Sequence, residues 1–484
     1  MTVVDDGARV FIGGRFQAAG ASTPVLEAAT GTLLGVGASA STAEVDAAVS
    51  AARVALPGWA GTSPADRAAA LVRLAEELEA RASVTNELCT RENGMPIRLS
   101  RGANGRFPGV LLRYYASLIA AAPVEEIRPA AIGHTIVRRE PVGVVGAIVP
   151  WNYPQALAAF KLAPALAAGC TMVLKASPET ALDALIFAEA AAAAGLPAGV
   201  LNVIAGGPDT GAHLVSHPGV DKVSFTGSTA VGQLIAEACG RLLRPVTLEL
   251  GGKSAAVILE DADLDTTIRG LQNASFVNNG QTCHLSSRIL APRSRYGEVV
   301  DAVAALAAGL TVGDPLDKAT EVGPLVSARQ RERVLGYIEA GKAEGARLVA
   351  GGGVPADQPD GWFVSPTVFA DVDNASRIAQ EEIFGPVLAV IPYETEQQAI
   401  DIANDSEYGL GGTVWSADAE RATDIARAIQ SGTVGVNEYQ LDIAAPFGGV
   451  KASGLGRELG PEGLAAYQQL KSIYRVGPAS ETSE

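Results

Sequence analysis

The sequence predicts an α/β protein with two wound domains, on three observations. Between residues 142 and 252, short apolar runs alternate with helical segments, the pattern of a parallel sheet covered on both faces. After Gly251-Gly252 a second alternation begins. At 484 residues the chain is too long for one hydrophobic core, and ordinary domain sizes divide it into two or three.

The chain opens on a short, glycine-interrupted stretch, Phe11-Ile12-Gly13-Gly14-Arg15-Phe16, and the rest of the first 120 residues reads mainly as helix. Ser41-Thr42-Ala43-Glu44 has the form of a capping box, in which serine and glutamate each satisfy a helix-start N–H, and it precedes Val45, Val49 and Ala52. Ser63-Pro64 likewise precedes Leu71, Leu74 and Leu78 at helical spacing. His134-Thr135-Ile136-Val137-Arg138-Arg139 alternates like a half-exposed strand. Parallel strands are predicted at 142–149, 171–174, 200–204, 223–225 and 246–250, with helices at about 153–168, 179–194, 208–217 and 228–239. In the second region, helices are predicted near 264–276, 295–310, 327–344, 395–404 and 418–430, and strands near 387–391 and 433–436.

Composition narrows the function. The chain is 48% hydrophobic and 19% charged, which is globular, and its net charge of −16 repels nucleic-acid phosphate. Apolar runs fall short of a membrane span, as where Glu189 interrupts the alanine-rich stretch 181–194, so no membrane partner is expected. Met1-Thr2-Val3-Val4-Asp5-Asp6 lacks the basic-then-apolar order of a signal peptide, and a cytoplasmic location is expected. Four scattered cysteines without a Cys-x-x-Cys pair, and four histidines, give no disulfide framework and no metal site.

Ligands of wound sheets sit beyond the carboxyl ends of the strands, so the residues after each apolar run are the candidate site. They are Pro150-Trp151-Asn152-Tyr153-Pro154, then Lys175, then Thr226-Gly227-Ser228-Thr229-Ala230-Val231-Gly232, then Glu249 running into Leu250-Gly251-Gly252-Lys253-Ser254. The glycine-rich segment 227–232 lets a helix N-terminus approach a pyrophosphate, with Ser228 donating; an ordinary glycine turn with a serine cap fits the same residues. Lys175 suits ribose hydroxyls or a solvated surface. Cys283, in Asn278-Asn279-Gly280-Gln281-Thr282-Cys283-His284, is the candidate nucleophile. A polar loop and a nearby cation would lower its pKa, while a packed interior cysteine is the competing reading.

Six motifs in order resemble the aldehyde dehydrogenase superfamily of NAD(P)-dependent enzymes: Pro150-Trp151-Asn152-Tyr153-Pro154, Phe225-Thr226-Gly227-Ser228-Thr229, Leu248-Glu249-Leu250-Gly251-Gly252-Lys253-Ser254, Asn279-Gly280-Gln281-Thr282-Cys283, Glu381-Glu382-Ile383-Phe384-Gly385-Pro386 and Pro446-Phe447-Gly448-Gly449. The resemblance implies Cys283 as nucleophile, Glu249 as general base and Asn152 as oxyanion donor, with Lys161 and Glu458 at the positions of a lysine and a proton-relaying carboxylate. It implies that Trp151, Lys175, Pro178, Phe225, Gly227, Ser228, Gly232, Leu250, Glu382 and Phe384 hold the cofactor, Glu382 at the nicotinamide ribose and Phe384 beside the ring. It implies a Rossmann-like dinucleotide domain at 1–121 and 142–252, a catalytic domain at 253–465, and a β arm at 122–141 and 466–484. Such an arm exposes edge strands, for which a homodimer or homotetramer is the natural outcome.

The implied reaction is irreversible oxidation of an aldehyde to a carboxylic acid. The alternatives are a CoA-acylating semialdehyde dehydrogenase, against which Glu249 argues, and a non-catalytic protein that keeps the fold, against which Cys283, Glu249 and Asn152 argue together. Two departures from the family stand out. His284 follows the nucleophile where small residues are common, and is expected to narrow the substrate tunnel. NAD-preferring relatives often carry glutamate three residues after the strand-end lysine; here that position is Pro178 and the carboxylate is Glu179. No arginine accompanies Lys175, so NAD is expected, with measurable activity on NADP.

Overall fold

The computed structural model describes residues 8–121 and 123–477. Five strands form the parallel centre of the first sheet, in the spatial order Val246–Glu249, Lys222–Thr226, Val144–Ile148, Thr171–Ala176, Leu201–Ala205. The chain order of neighbouring strands reverses between Val144–Ile148 and Lys222–Thr226, and at such a switch point the loops leave in opposite directions and open a crevice. The antiparallel hairpin Arg9–Ile12 and Arg15–Ala18 finishes one edge, turning through Gly13 and Gly14, both at positive φ. At the other edge Gly454–Leu455 pairs with Val246–Glu249, so a strand from within 253–465 completes the first sheet.

The five predicted parallel strands are present, each within two residues of its expected ends. The helix expected at 179–194 begins late, at Leu185–Ala193. Pro178–Thr180 is a single 3-10 turn, and the buried Glu92 carboxylate accepts the N–H groups of Leu182 (2.9 Å) and Asp183 (3.2 Å), which holds that backbone in a loop. Ser41 does form the capping box with Glu44, and Ser63 caps Pro64–Ala80. The N-terminal region holds more strand than its sequence suggests, since Ser22–Leu26 pairs with Leu33–Ala38.

The second sheet has seven strands, ordered Arg347–Ala350, Thr367–Ala370, Val387–Tyr393, Ser286–Pro292, Ser254–Ile258, Thr413–Trp415, Gly435–Val436, all parallel except the first pair. Alternate residues of its central strands feed two separate cores, Ala255 and Val257 on one face, Ala256 and Ile258 on the other. Five of these strands are not legible in the sequence. Ser254–Ile258 is rich in small residues, and Ser286–Pro292 carries Arg288, a charge that argues against an interior strand. Arg288 is nonetheless buried, its guanidinium donating to the carbonyls of Lys253 (3.0 Å), Ile402 (2.8 Å) and Ala403 (2.9 Å) and to Asn374 Oδ1 (3.0 Å). A fully hydrogen-bonded guanidinium is tolerated where a bare one is not.

A third, antiparallel sheet orders Gln468–Arg475, Gly133–Pro141 and Glu125–Ala130, and exposes Ile132, Leu470 and Tyr474. Residue 122 and residues 478–484 of the expected arm lie outside the described residues. Among the described residues no helix is long and apolar enough to cross a membrane.

Candidate active site

The loop bearing Cys283 is determined by its own backbone. Asn278, Asn279 and Gly280 are all left-handed, at φ 55°, 60° and 75°, a sequence that asparagine and glycine tolerate best. Gly280 also has no room for a side chain, because a Cβ there would lie 2.2 Å from Gly385 backbone. Both asparagine side chains are spent on holding the loop. Asn279 donates to the carbonyls of Gly94 (2.9 Å) and Pro324 (2.8 Å) and accepts from Gly323 N–H, while Asn278 donates to the Asn152 carbonyl at 3.0 Å. A helix-free turn so thoroughly tied presents Cys283 at a fixed point, half-buried.

Glu249 ends its strand opposite Thr226 on one side and Gly454 on the other. Its carboxylate is 1% exposed, and Oε2 lies 3.8 Å from Cys283 Sγ. Burial, and then the Glu458 carboxylate, hold Glu249 well above the usual carboxylate range, against the pull of Lys161. The thiol is pushed up as well, by burial first and by the Glu249 and Glu382 carboxylates, while the N–H groups of Cys283 and His284 favour the thiolate. The cation expected to lower this thiol is therefore not what the fold supplies. The buried Lys161 is committed elsewhere, donating to Glu458 Oε1 at 2.7 Å and Thr226 Oγ1 at 2.6 Å. Two groups whose ionised forms burial disfavours, one acid and one thiol, thus stand 3.8 Å apart.

Asn152 is buried in the loop between Val144–Ile148 and the helix Pro154–Ala168. One Nδ2 hydrogen goes to the Gln281 carbonyl at 3.0 Å, which leaves the other for a ligand beside Cys283. Asn93 supports the loop from below, its amide reaching the carbonyls of Trp151 (3.0 Å) and Asn152 (3.3 Å). Sequence reading does not find Asn93, and it quotes Gln281 and Thr226 within motifs without giving them these supporting roles, because the partners lie 58 to 129 residues away in the chain.

The other rim of the crevice fits a dinucleotide. The helix Thr229–Arg241 starts without a side-chain cap, so the exposed Ser228 hydroxyl and the first-turn N–H groups are unclaimed. Gly227 and Gly232 keep the approach open, since a Cβ would sit 2.4 Å from the Phe225 ring at one and 2.5 Å from Leu250 at the other. The ammonium of Lys175, buried near the end of Thr171–Ala176, has no hydrogen-bond partner among the described residues, and burial lowers its pKa to about 8. Pro178 begins the turn two residues beyond that strand. Glu382 accepts the Gly252 N–H at 2.9 Å, and burial pushes its carboxyl up to about 7. Phe384 holds a left-handed φ of 61°, and its ring meets Trp151 edge-on at 5.4 Å. Of the expected site residues, Cys283 and Glu249 approach to 3.8 Å, Lys161 and Glu458 pair at 2.7 Å, and the Trp151 and Phe384 rings meet at 5.4 Å.

Beside Cys283 the walls are aromatic and apolar. The His284 ring stacks on Tyr439 (4.4 Å, 11°) and meets Phe447 edge-on, Phe447 packs on Phe160, and Phe160 on Phe107. Tyr439 is fixed through a 2.7 Å hydrogen bond to Thr433. A cavity of about 210 Å³ opens along Val434, Tyr439, Leu441, Pro446 and Phe447, with Thr433, Gln440 and the Asp442 carboxylate as the polar part of its lining.

A half-buried thiol 3.8 Å from a buried carboxylate, beside the crevice of a wound parallel sheet, suits an enzyme of aldehyde oxidation. Residues 16–473 match the model of the aldehyde dehydrogenase family, and the chain belongs to that family. It is 56% identical to a geranial dehydrogenase of Castellaniella defragrans over 98% of this chain and 99% of that one. Among solved structures, an aldehyde dehydrogenase of Mycobacterium tuberculosis complexed with NAD+ is 47% identical with a TM-score of 0.96, covering 98% of this chain and 100% of its own. A cysteine-to-alanine mutant of aldehyde dehydrogenase C from Pseudomonas syringae, complexed with NAD+ and octanal, is 40% identical with a TM-score of 0.94, covering 97% and 96%. The protein is an oxidoreductase that oxidises an aldehyde to a carboxylic acid with NAD as cofactor.

Proposed function

We propose that Cys283 carries the acyl group and that Glu249 moves its proton; the 3.8 Å approach of Sγ to Oε2 is the observation that carries this reading. Glu249 takes the thiol proton as Sγ adds to the aldehyde carbon. The Asn152 amide and the Cys283 N–H hold the oxyanion so formed, and their fixed hydrogen bonds mean that little reorganisation is needed. NAD, when bound, supplies the hydride acceptor. The thioester left on Cys283 then needs water, and Glu249, returned to its anionic form, removes a proton from it. Lys161 and Glu458 offer the exit for that proton, since Glu458 Oε2 is buried without a partner while Oε1 holds Lys161.

The helix start at Gly227, Ser228 and Gly232 takes the pyrophosphate, with Trp151, Phe225 and Leu250 lining the cofactor site, Lys175 and the Pro178 turn at the adenosine ribose, and Glu382 and Phe384 at the nicotinamide end. In this reading 1–121 with 142–252 binds the dinucleotide, 253–465 carries the thiol, and the β arm joins subunits into a homodimer or homotetramer in the cytoplasm. Exposed Leu470 and Tyr474 on that arm support the assembly. The favoured substrate is an uncharged, apolar aldehyde. The apolar and aromatic side chains Val434, Tyr439, Leu441, Pro446 and Phe447 along the cavity support this, as do relatives named for geranial or complexed with octanal.

His284 gives the substrate reading its test. The ring has neither a hydrogen-bond nor an ion-pair partner among the described residues, burial lowers its pKa to about 4, and Tyr439 and Phe447 hold it in place, so it acts as a neutral wall. His284→Ala is expected to shift selectivity from straight-chain toward branched aldehydes by about tenfold, the usual yield of a reshaped apolar pocket. Measuring kcat/KM over a chain-length and branching series checks it, and an equal loss at every substrate would contradict a steric role.

A further inference from the structure

We infer that a cavity walled by the start of the Cys283 loop is a second binding site, separate from the substrate cavity, for an apolar monocarboxylate of the kind the reaction produces, and that its occupant slows turnover. The identity of the acid rests on the proposed preference for apolar aldehydes.

The cavity measures about 230 Å³, the volume of about eight water-sized groups at roughly 30 Å³ each. Its apolar wall is Leu99, Phe276, Val277, Leu310 and Val322. At its rim the exposed Arg98 guanidinium has neither a hydrogen-bond nor an ion-pair partner among the described residues, and the exposed Asn273 carboxamide has none either. The Glu321 carboxylate also lines the cavity, but both of its oxygens are occupied, Oε1 by the Gln272 amide at 2.7 Å and Oε2 by the Thr311 N–H at 2.9 Å. An anionic head therefore finds an unpaired guanidinium fork and a free amide donor, whereas a cationic head would find a carboxylate already engaged. An apolar chain ending in a carboxylate matches this layout, and oxidation of an apolar aldehyde makes such a molecule.

Two π-helical segments, a rare form found mostly as single turns at functional sites, connect the cavity to the chemistry. Arg98 and Leu99 lead into Arg101–Arg106, and the next residue, Phe107, packs on Phe160 in the aromatic wall beside Cys283. Gln272, Asn273 and Phe276 belong to Gln272–Phe276, which runs through Val277 into the left-handed turn Asn278-Asn279-Gly280. Asn278 also lines the cavity. Its Nδ2 holds the Asn152 carbonyl at 3.0 Å, while its Oδ1 is buried without a partner among the described residues. A chain packed on Val277 presses on the residue beside that link, which positions the oxyanion donor. The substrate cavity shares no lining residue with this one, so occupancy acts on kcat rather than on entry of the aldehyde.

Octanoate is the probe. Equilibrium dialysis of the NAD-loaded enzyme with labelled octanoate should show two bound per chain, one in each cavity, and one in Leu99→Trp, which fills the second cavity from a half-buried position. With octanal varied, octanoate should lower both kcat and kcat/KM of the wild type, and only kcat/KM of Leu99→Trp. Arg98→Ala should weaken the effect on kcat about three- to tenfold, the range for an exposed charge-assisted contact, and leave the competitive effect within twofold. Arg98→Lys should restore part of the loss, and the Arg98 effect should shrink as salt is raised. 1-Octanol, with the same tail and no charge, should be insensitive to Arg98→Ala. One octanoate per chain with purely competitive inhibition would overturn the site, as would a second octanoate that neither Leu99→Trp nor Arg98→Ala weakens. Two octanoates per chain in an enzyme that does not oxidise octanal would support the site and remove the substrate reading alone.

Discussion

Replacing Cys283 with alanine is expected to lower kcat/KM for every aldehyde on the order of 10⁴-fold or more, because removal of a covalent nucleophile leaves only binding and oxyanion stabilisation. That is about 5 kcal/mol of transition-state stabilisation at 1.36 kcal/mol per factor of ten. The thiol contributes no contact to the pyrophosphate rim, so NAD affinity measured by calorimetry should remain within a few-fold. The loop should survive the change, since its shape comes from Asn278, Asn279 and Gly280 and their backbone partners rather than from sulfur. Turnover near the wild-type rate in Cys283→Ala would remove the covalent mechanism altogether.

Glu249→Gln divides the reaction at its middle. Hydride transfer precedes hydrolysis, so the variant should still release NADH in a first turnover, then stall with the thioester unbroken. The steady-state rate is expected to fall about 10²- to 10⁴-fold, the usual worth of a general base. Attack itself should slow to a lesser degree, because the thiol also gives its proton to Glu249. The same carboxylate sets the pH dependence. Its pKa is raised above the ordinary value of about 4.3 by burial and by Glu458, so its basic form is scarce at low pH and grows as pH rises. The Cys283 thiol is raised too and titrates in the same sense. Wild-type kcat should therefore climb with pH through and above neutrality. In Glu249→Gln the hydrolytic limb should flatten, and an unchanged profile would assign that limb to another group.

The first sheet was legible because its strands are dense in β-branched residues and end in chemistry, as Thr171–Ala176 ends in Lys175 and Val246–Glu249 in its carboxylate. The second sheet was largely hidden. Thr413–Trp415 is too short to show a period, and Arg288 disguises Ser286–Pro292 until its carbonyl partners are assembled around it. At the site, motifs named Cys283, Glu249 and Asn152, but the electrostatic setting of the thiol was legible only in three dimensions. The expected activating cation is replaced by two carboxylates, and Lys161, a plausible candidate by type, faces Glu458 and Thr226 instead.

The most direct measurement is intact mass of Glu249→Gln, acid-quenched within one turnover of mixing with NAD and a straight-chain apolar aldehyde, followed by peptide mapping. The expected result is one acyl group per chain, on the peptide containing Cys283, appearing together with one equivalent of NADH. NADH formed without any acyl adduct, or an adduct on Cys89, Cys170 or Cys239 in place of Cys283, would contradict acyl transfer through Cys283.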